Sequence, residues 1–445
     1  MIERSRARLS WLREQGLDEA LVIPLRWEEI EALGLGRLDG DGTTIAGIRA
    51  DSRAVGPGDL FVALNSGVAY VDQARARGAA TLVPDDQNAA LAQLAMLVRS
   101  KSAARVVAVV GSTGKTSTKD ILGSLCAGVV PTVFAEASQN NEIGLPLTVC
   151  RLEPDTQVLV TEMGMRGIGQ VAELCAIAGP HLALVSSIGP EHLELLGTVE
   201  DVARANAEAI AALPPDGIAV VPADARELAP YLDRTDIDIR RFDRAAIEQD
   251  GGRWRFTVAD RELVLELPFR SRHMAENTLA ALTAYDALGL PLERAQVGAR
   301  EIRLSRWRSE LLELPGGGFV LNDAYNANPT SMQAALRDLT ERAEGRRRVA
   351  ILGGMAELGD ASERYHGEIG ELLAELGIEA VVAVGDAARP YLEPGVEEML
   401  WVPAAEGFED LLRPGDAVLV KASRAVGLEG IAGRVAKLAA TWSES

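Results

Sequence analysis

The most regular feature of the sequence is a series of short, almost continuously apolar runs separated by longer stretches of mixed polarity. RVVAVV begins at Arg105, VLVTEMG at Val158 and LALVSSIG at Leu182. A strand covered by helices on both faces has such a pattern, whereas a strand with one solvated face alternates apolar and polar residues. Because helical stretches separate the runs, the pattern predicts a doubly wound parallel sheet.

The flanking regions have related patterns. Residues 47–64, GIRADSRAVGPGDLFVAL, predict two strands joined by a Gly-Pro-Gly turn, and a helix and a short strand follow. After about Ile302, GFVLNDAY, RRVAILGGM, AVVAVGD and DAVLVKASR are four more candidates for buried strands. We therefore expect an α/β protein of three domains, namely a small α/β domain (1–104), a central parallel-sheet P-loop domain (105–301) and a C-terminal Rossmann-like domain (302–445).

The composition is consistent with several domains and excludes some classes of binding partner. The 445 residues exceed one ordinary domain, and 47% are hydrophobic and 25% charged, as in globular proteins. The net charge of −20 and the pI of about 4.8 argue against nucleic acid and against anionic membrane surfaces, which need clustered Lys and Arg. Anionic substrates would therefore need local positive features.

Cysteine usage and the N-terminus indicate the compartment. The three cysteines, Cys126, Cys150 and Cys175, are widely spaced and form no CxxC pair, so buried reduced thiols are expected and neither disulfides nor a zinc site. MIERSRARLSWLREQG has no apolar core of signal-peptide length, and no apolar run approaches the roughly 20 residues of a membrane span. We expect a cytoplasmic protein without membrane insertion.

A glycine-rich loop follows the first buried run. The segment from Gly111 to Thr116, GSTGKT, has the pattern GxxGK[ST], while Val109 occupies the position of the first glycine in the longer GxxxxGK[ST]. Such a loop turns backbone N–H groups toward a phosphate, with Lys115 as a counter-charge and the Thr116 hydroxyl available to Mg²⁺. A structural turn with an exposed lysine is the alternative, but the strand before and the helix after favour phosphate binding.

Acidic and histidine side chains follow the next two runs. Ligands of open α/β sheets bind beyond the carboxyl ends of the strands. Glu162 stands at one such end, where it is either a Mg²⁺ ligand or a solvated residue. SSIGPEHLELLG brings Glu191, His192 and Glu194 to the same edge, and His192 taken alone is as consistent with a surface residue as with a ligand.

Several segments together resemble the Mur ligase family. NNEIGLPLT (140–148), the EMG strand end and the His192 loop follow the phosphate loop in the family's order. NNEIGLPLT, NDAYNANPTSM (322–332) and LGGMAELGDASERYHGEIG (352–370) resemble the branch that adds D-alanyl-D-alanine, and DSRAVGPGDLFVAL resembles the family's uridine-binding domain. The resemblance covers nearly the whole chain.

The resemblance implies a reaction. It is the ATP-dependent, ADP-forming ligation of D-alanyl-D-alanine to UDP-MurNAc-tripeptide through an acyl phosphate, which gives the UDP-MurNAc-pentapeptide of peptidoglycan synthesis. It further implies Mg²⁺, at two sites. We expect a monomer.

The resemblance also assigns roles to individual residues. Residues expected to bind ATP are Gly111, Ser112, Thr113, Gly114, Lys115, Thr116, His273, Asn277, Arg308, Asp323 and Asn326. Residues expected to bind Mg²⁺ are Thr116, Glu162 and His192, and those expected to be catalytic are Lys115, Glu162, His192 and Arg308. Residues expected to face the other substrates are Ser52, Arg53, Asn140, Asn141, Lys421, Ser423 and Arg424.

Some of these residues have structural alternatives. Asp323 and Asn326 are typical turn formers before Asn-Pro, although DAYNANP favours the functional interpretation. Ser52 and Arg53 are equally consistent with a polar turn. His366 is either a helix-surface contact or a site residue, and Trp307 is expected to pack rather than stack on a base.

The chain departs from the family pattern at four places. Asn206 stands where the family has a lysine modified to a carbamate, so no carbamylated lysine is expected and a neutral amide would bind a second Mg²⁺ less strongly. Met274 and Gly354 replace residues that are usually Asn and Asp, and an Asp-Gly-His stretch is missing between Gly67 and Tyr70.

Three other functions remain open at this point. One is another amino-acid-adding Mur ligase or a folylpolyglutamate-type ligase. A second is an ATP-binding paralogue without ligase activity, which the Asn206 substitution and the shortened first domain would favour. A third is a generic P-loop ATPase or kinase.

Overall fold

The computed structural model describes residues 22–40, 44–392 and 395–442. The N-terminal segment that bears on a signal peptide lies outside these residues. Within them, no helix is long and apolar enough to cross a membrane.

The central sheet has six strands, all parallel. Every side chain of Val106–Val110 and of the strands on either side of this segment is buried, which explains the continuous apolar runs. In spatial order the strands are Asp238–Phe242, Ile218–Pro222, Leu182–Val185, Arg105–Val110, Val158–Glu162 and Thr132–Phe134.

Helices cover both faces of this sheet and divide its hydrophobic core in two. Arg272–Ala287 and Lys115–Ala127 pack together on one face. On the other face, Gln87–Ser100 of the first domain packs on helices of the central domain, so that one hydrophobic cluster spans both domains. The other helices of the central domain are Gly144–Val149, Gln170–Ala178, Leu193–Leu196, Val199–Ala211 and Ala295–Ala299.

The first domain contains a four-stranded mixed sheet and a two-stranded antiparallel pair. The sheet has the order Gly36–Asp39, Ala80–Pro84, Asp59–Val62 and Gly47–Arg49, and the pair consists of Leu25–Arg26 and Thr44–Ile45. Its helices are Trp27–Glu31, Val71–Ala76 and Gln87–Ser100, and a 3₁₀ turn covers Asn65–Tyr70. This turn includes the shortened stretch, and it exposes Val68 and Tyr70.

The third domain has a second six-stranded sheet, parallel except for its first strand. Its spatial order is Glu310–Glu313, Phe319–Asn322, Ala417–Lys421, Arg348–Gly353, Ala380–Val384 and Glu398–Val402. The helices Pro329–Ala343, Ser362–Glu375 and Ile431–Trp442 cover it, with a hydrophobic cluster on each face. All four runs predicted as buried strands after Ile302 lie in this sheet.

Some elements were not predicted. A three-stranded antiparallel meander consists of Ile247–Asp250, Arg253–Val258 and Arg261–Leu265. Other 3₁₀ turns cover Arg226–Tyr231, Arg244–Ala246, Leu292–Arg294, Gly359–Ala361, Asp386–Tyr391, Glu409–Leu411 and Arg424–Val426. The three-domain α/β class is confirmed, while the boundaries after residues 104 and 301 stay proposals.

The cysteines are buried free thiols, as expected. Burial raises the pKa of Cys150 and of Cys175 to about 12 in each case. Thiols that stay protonated in this way are poor nucleophiles and poor metal ligands.

Candidate active site

A cleft of about 800 Å³ lies between the central and third domains. Its walls are formed by the carboxyl ends of strands from both six-stranded sheets, where ligands of such sheets bind. The residues predicted for the site that line it are Ser112, Thr113, Gly114, Lys115, Thr116, Asn140, Asn141, Glu162, His192, His273, Asn277, Arg308, Asp323, Asn326, Lys421, Ser423 and Arg424.

Two hydrogen bonds and two glycine conformations determine the path of the phosphate loop. The Gly111 N–H donates to Oδ1 of Asn206 at 2.7 Å, and the Ser112 N–H donates to the Ser187 carbonyl at 2.9 Å. Gly111 has a φ of +127°, and a Cβ there would lie 2.4 Å from Oγ of Ser186, so only glycine can occupy this position. Gly114 has a φ of +77° and leads directly into the helix that begins at Lys115, which places a positive helix end at the cleft.

Lys115 is engaged by other groups of the protein. Its Nζ donates to Oε1 of Glu191 at 2.9 Å and also contacts the Gly111 carbonyl. Burial alone would raise the pKa of Glu191, but the charge of Lys115 and the hydrogen bond from His192 outweigh it and hold that pKa below its usual range. Glu191 is therefore a buried carboxylate that pairs with Lys115, the residue expected to bind phosphate.

The strand-end Glu162 forms a second carboxylate at the same end of the cleft. Its Oε1 accepts hydrogen bonds from Thr116 Oγ1 at 3.1 Å and from Asn140 Nδ2 at 2.7 Å. Its Oε2 is buried and has no hydrogen-bond partner among the described residues. A buried carboxylate oxygen without a partner is costly, and a hard cation beside Thr116 would satisfy it. These oxygen donors suit Mg²⁺.

Arg308 reaches the phosphate loop from the segment between the central and third domains. Its Nη2 donates to Thr116 Oγ1 at 3.0 Å, and its guanidinium lies 4.0 Å from the centre of the Tyr325 ring. Stacking on Tyr325 fixes the plane of the guanidinium. The Arg308 charge is thus directed at the position where the end of a bound polyphosphate would lie.

The cleft also contains the residues expected around a nucleoside. His273 Nε2 contacts Ser309 Oγ at 3.1 Å, and Asn277 and Met274 line the cleft beside it. Asp323 accepts a hydrogen bond from the Ser309 N–H at 3.1 Å, and its other oxygen forms an ion pair with Lys421. Burial lowers the pKa of Lys421, although Asp323 opposes this.

The residues expected to face the other substrates divide into two groups. Asn141 lies just before the helix that begins at Gly144, and its Oδ1 accepts from the Gly144 N–H at 2.9 Å. Ser423 accepts from the Ala356 N–H at 2.7 Å, and Arg424 lies over the Trp307 ring at 4.8 Å. These residues line the cleft.

Ser52 and Arg53 lie apart from this cleft. Ser52 is buried and donates to Gln73 at 2.8 Å, whereas Arg53 is exposed and pairs with Asp51. The structure therefore places these two residues in a polar turn of the first domain.

Two other residues considered for the site, His366 and Asn206, are buried in the protein interior. His366 is fully buried, accepts the Met355 N–H at 2.9 Å and packs on Tyr391, so it lies inside the third domain and not at the cleft. Asn206 is also buried, and its two amide atoms bond Gly111 and the Val202 carbonyl, at 2.7 and 2.9 Å. The Asn206 side chain supports the phosphate loop and leaves no polar atom toward the cleft.

The sequence analysis gave no role to two residues of this cleft. Glu191 was noticed only at the sheet edge, although it directly precedes His192. Glu357 contacts His192 Nδ1 from the third domain. Asn328, which the resemblance places beside Asp323, donates to the Ser112 carbonyl at 3.5 Å. Glu357 and Asn328 become neighbours of these loops only when the domains meet.

Family models match the domains that form this cleft. The Mur ligase middle domain matches residues 109–285, and the glutamate ligase domain of Mur ligases matches residues 307–424. The UDP-N-acetylmuramoyl-tripeptide--D-alanyl-D-alanine ligase of Bacillus subtilis (strain 168) is 32% identical over 427 residues, covering 87% of this chain and 93% of the relative. The chain belongs to the Mur ligase family. The Escherichia coli (strain K12) ligase of the same name is 32% identical, covering 79% of this chain and 83% of the relative.

Solved structures of Mur ligases have the same fold. MurF from Acinetobacter baumannii superposes with a TM-score of 0.83 at 28% identity, covering 94% of this chain and 100% of that one. MurF from Thermotoga maritima, solved in complex with ADP, superposes with a TM-score of 0.77 at 26% identity, covering 89% of this chain and 98% of that one. The expectation of an ATP-dependent ligase is thereby confirmed.

Proposed function

We propose that this Mur ligase joins D-alanyl-D-alanine to UDP-MurNAc-tripeptide, with cleavage of ATP to ADP and phosphate through an acyl phosphate. The observation that carries the proposal is the convergence of Lys115, Glu162, Arg308 and the Asp323–Lys421 pair on one cleft between two domains. The names of the relatives in Bacillus subtilis and Escherichia coli support the choice of substrates.

A carboxylate must be activated before an amine can attack it. In the first step, an oxygen of the tripeptide carboxylate bonds to the γ-phosphorus, and the bond to the bridging oxygen of ADP breaks. In the second step, the D-alanyl-D-alanine amine attacks the carbonyl carbon, phosphate leaves, and the nitrogen loses a proton. Phosphoryl transfer depends on positioning and charge neutralisation and needs no protein nucleophile.

The roles of the residues follow from their positions in the cleft. Lys115 and the helix end behind it would hold the β- and γ-phosphates, and Arg308 would neutralise charge on the γ-phosphoryl group. Thr116 and Glu162 would hold Mg²⁺, which when bound supplies further neutralisation of the phosphate charge. His273 and Asn277 would contact the adenine, and Asp323 the ribose.

The cleft walls come from two domains, so the proposal includes closure of the third domain on ligand binding. Closure would exclude water, which otherwise hydrolyses an acyl phosphate. Asn140, Asn141 and the strand end at Lys421–Arg424 would then face the sugar-peptide and the dipeptide. We propose a monomer that acts in the cytoplasm, where both ATP and the nucleotide-linked precursor are available, and light scattering of the purified protein tests the monomer.

A phosphate-release assay tests the function. The protein is incubated with ATP, with UDP-MurNAc-tripeptide ending in lysine or diaminopimelate, and with either D-alanyl-D-alanine or single amino acids. Phosphate release and a pentapeptide mass only with the dipeptide are expected. Release only with single amino acids would indicate another Mur-type ligase, and nucleotide binding without any product would indicate a paralogue without ligase activity.

A further inference from the structure

Lys119 and Asp120 form a buried ion pair on the helix that follows the phosphate loop, and the proposed reaction gives neither residue a role. Lys119 is fully buried, Asp120 is 4% exposed, and neither lines the cleft. A buried ion pair is by itself weak evidence for stability, because the loss of hydration offsets much of the attraction between the charges. The contacts of this pair with other segments therefore indicate its role.

Asp120 binds the segment that leads from the central to the third domain. Its Oδ1 pairs with Lys119, and its Oδ2 accepts hydrogen bonds from both the N–H and the Oγ of Ser305, each at 2.8 Å. Because Asp120 lies one helical turn after Thr116, both side chains are on the same face of the helix. Thr116 accepts a hydrogen bond from Arg308, so this face binds the segment at two points.

Lys119 fixes another loop that reaches Arg308. Its Nζ donates to the carbonyls of Ala135 and Ala137, at 2.7 and 2.8 Å. Ala137 has a φ of +49°, a left-handed conformation that is unfavourable for a residue with a Cβ, so the loop depends on such contacts. The next residue, Ser138, places its Oγ 3.5 Å from Nη2 of Arg308. The buried pair therefore connects two segments that both meet at this arginine.

The backbone on either side of Arg308 is strained. Trp307 has a φ of +60° and Ser309 a φ of +49°, and residues other than glycine keep such conformations only where surrounding contacts fix them. On the third-domain side, the Ser309 N–H donates to Asp323 at 3.1 Å. On the other side, the hydrogen bonds to Asp120 attach the segment to the central domain. The arginine thus lies on a strained segment that is attached at both ends.

The attachment to Asp120 is the one that nucleotide binding leaves intact. In the proposed function, the Thr116 hydroxyl turns to Mg²⁺ and Arg308 to the γ-phosphoryl group, so their mutual hydrogen bond is lost. Asp120 lies outside the cleft and keeps Ser305. Its carboxylate then determines where the segment holds the guanidinium. Such placement matters, since a shift of about 1 Å in a catalytic group can lower the rate about 100-fold.

We propose that Asp120, neutralised by Lys119 and acting through Ser305, is a positioning residue for Arg308. The buried ion pair keeps a carboxylate fixed at the base of the segment, and this carboxylate directs the guanidinium at the γ-phosphate of bound ATP. The inference rests on the proposed function insofar as it assigns Arg308 to that phosphate.

A comparison of two nucleotides tests this without measuring turnover. Adenylyl imidodiphosphate carries a γ-phosphate and is not hydrolysed, whereas ADP lacks that phosphate. The ratio of the ADP dissociation constant to that of the imidodiphosphate therefore reports the contact with the γ-phosphate. Calorimetric titration of the full-length protein in the presence of Mg²⁺ gives both constants. Arg308→Ala should lower the ratio and sets the full size of the effect.

Ser305→Ala removes one of the two hydrogen bonds to Asp120 and leaves the ion pair intact. It should weaken binding of the imidodiphosphate by about 3- to 10-fold, a part of what a hydrogen bond to a charged group contributes, and leave ADP binding unchanged. Ser305→Thr keeps the hydroxyl and should restore the wild-type ratio. Ser124→Ala is the matched control on the same helix, because its hydroxyl donates to the Asp120 carbonyl and does not contact the segment. It should bind both nucleotides as the wild type does.

Asp120→Asn should lower the ratio as well, because an amide offers one acceptor oxygen where Lys119 and Ser305 together require two. This variant also removes the counter-charge of Lys119, so Ser305→Ala, which keeps the pair, decides the proposal if Asp120→Asn does not fold.

A double variant separates positioning from a general structural role. Ser305→Ala combined with Arg308→Ala should have the ratio of Arg308→Ala alone, since a positioning residue acts only through the residue that it positions. Independent, additive losses in the double variant would overturn the proposal. An unchanged ratio in Ser305→Ala, or equal weakening of ADP and the imidodiphosphate, would do the same. An unchanged ratio in Arg308→Ala would instead refute the role proposed for Arg308, and a wild type that binds neither nucleotide would refute the proposed function.

Discussion

Replacing Asn206 with alanine tests whether this side chain maintains the phosphate loop. The substitution removes the acceptor of the 2.7 Å hydrogen bond from the Gly111 N–H, in surroundings where Asn206 is 1% exposed. A buried N–H without a partner costs about 1–3 kcal/mol. We take the loss of unfolding free energy as about 2 kcal/mol. For a domain of roughly 200 residues, each kcal/mol lost lowers the melting temperature by about 2–4 °C, so the melting temperature should fall by about 4–8 °C.

Nucleotide affinity should fall as well, because the first glycine of the loop loses the contact that orients it. The loss is limited by the same free energy, so the dissociation constant should rise by at most about 30-fold. Differential scanning fluorimetry measures the melting temperature, and calorimetric titration with adenylyl imidodiphosphate, a non-hydrolysable ATP analogue, measures the nucleotide affinity. Arg204→Ala is the control, since Arg204 is on the same helix but exposed and its pair with Asp201 is worth less than about 1 kcal/mol. A melting temperature and an affinity equal to those of the wild type in Asn206→Ala would refute the reasoning.

Three other outcomes are expected. Lys115→Ala should abolish phosphate release while the circular dichroism spectrum stays unchanged, because the side chain lines the cleft and not a core; retained turnover would remove the phosphate-loop argument. Lys119→Met should destabilise the protein by about 3–5 kcal/mol, because it leaves the buried carboxylate of Asp120 without its cation, and unchanged urea unfolding would contradict this. Burial lowers the pKa of His366, so the unfolded chain binds the proton first and stability should decrease as the pH falls below about 6.5. His366→Gln should lose less stability than the wild type between pH 7.5 and 5.5, and parallel melting curves would exclude this residue as a source of the decrease.

The central site could be predicted where neighbouring residues determine the local geometry. Gly111, Gly114 and Lys115 are six residues or fewer apart, and the strand before them and the helix after them fix their arrangement. Glu162 could be predicted for a similar reason, since the carboxyl ends of parallel strands meet at one edge. His273 and Arg308 depended on the resemblance, because their distance along the chain gives no indication of where they lie.

The remaining features depend on how the elements meet. Glu357 reaches the His192 loop, and Asn328 the phosphate loop, only because the third domain packs against the central one, and no periodicity in the sequence encodes that approach. The Asn206 amide turns to the backbone because its helix presents this face to Gly111. The meander was missed although Arg253–Val258 has the signal of a half-buried strand, with Trp254, Phe256 and Val258 buried in alternation.

The hydrophobic cluster that helix Gln87–Ser100 shares with the central domain constrains the mechanics of the enzyme. A continuous apolar interface cannot separate without exposing its side chains to water, so the first and central domains are expected to move as one body. In the closure proposed above, the third domain would move against this body. Because Arg308 lies next to the third domain and contacts Thr116, such a movement would also change the position of a charge in the cleft. Truncation after residue 104 would therefore expose half of a core rather than release an independent module.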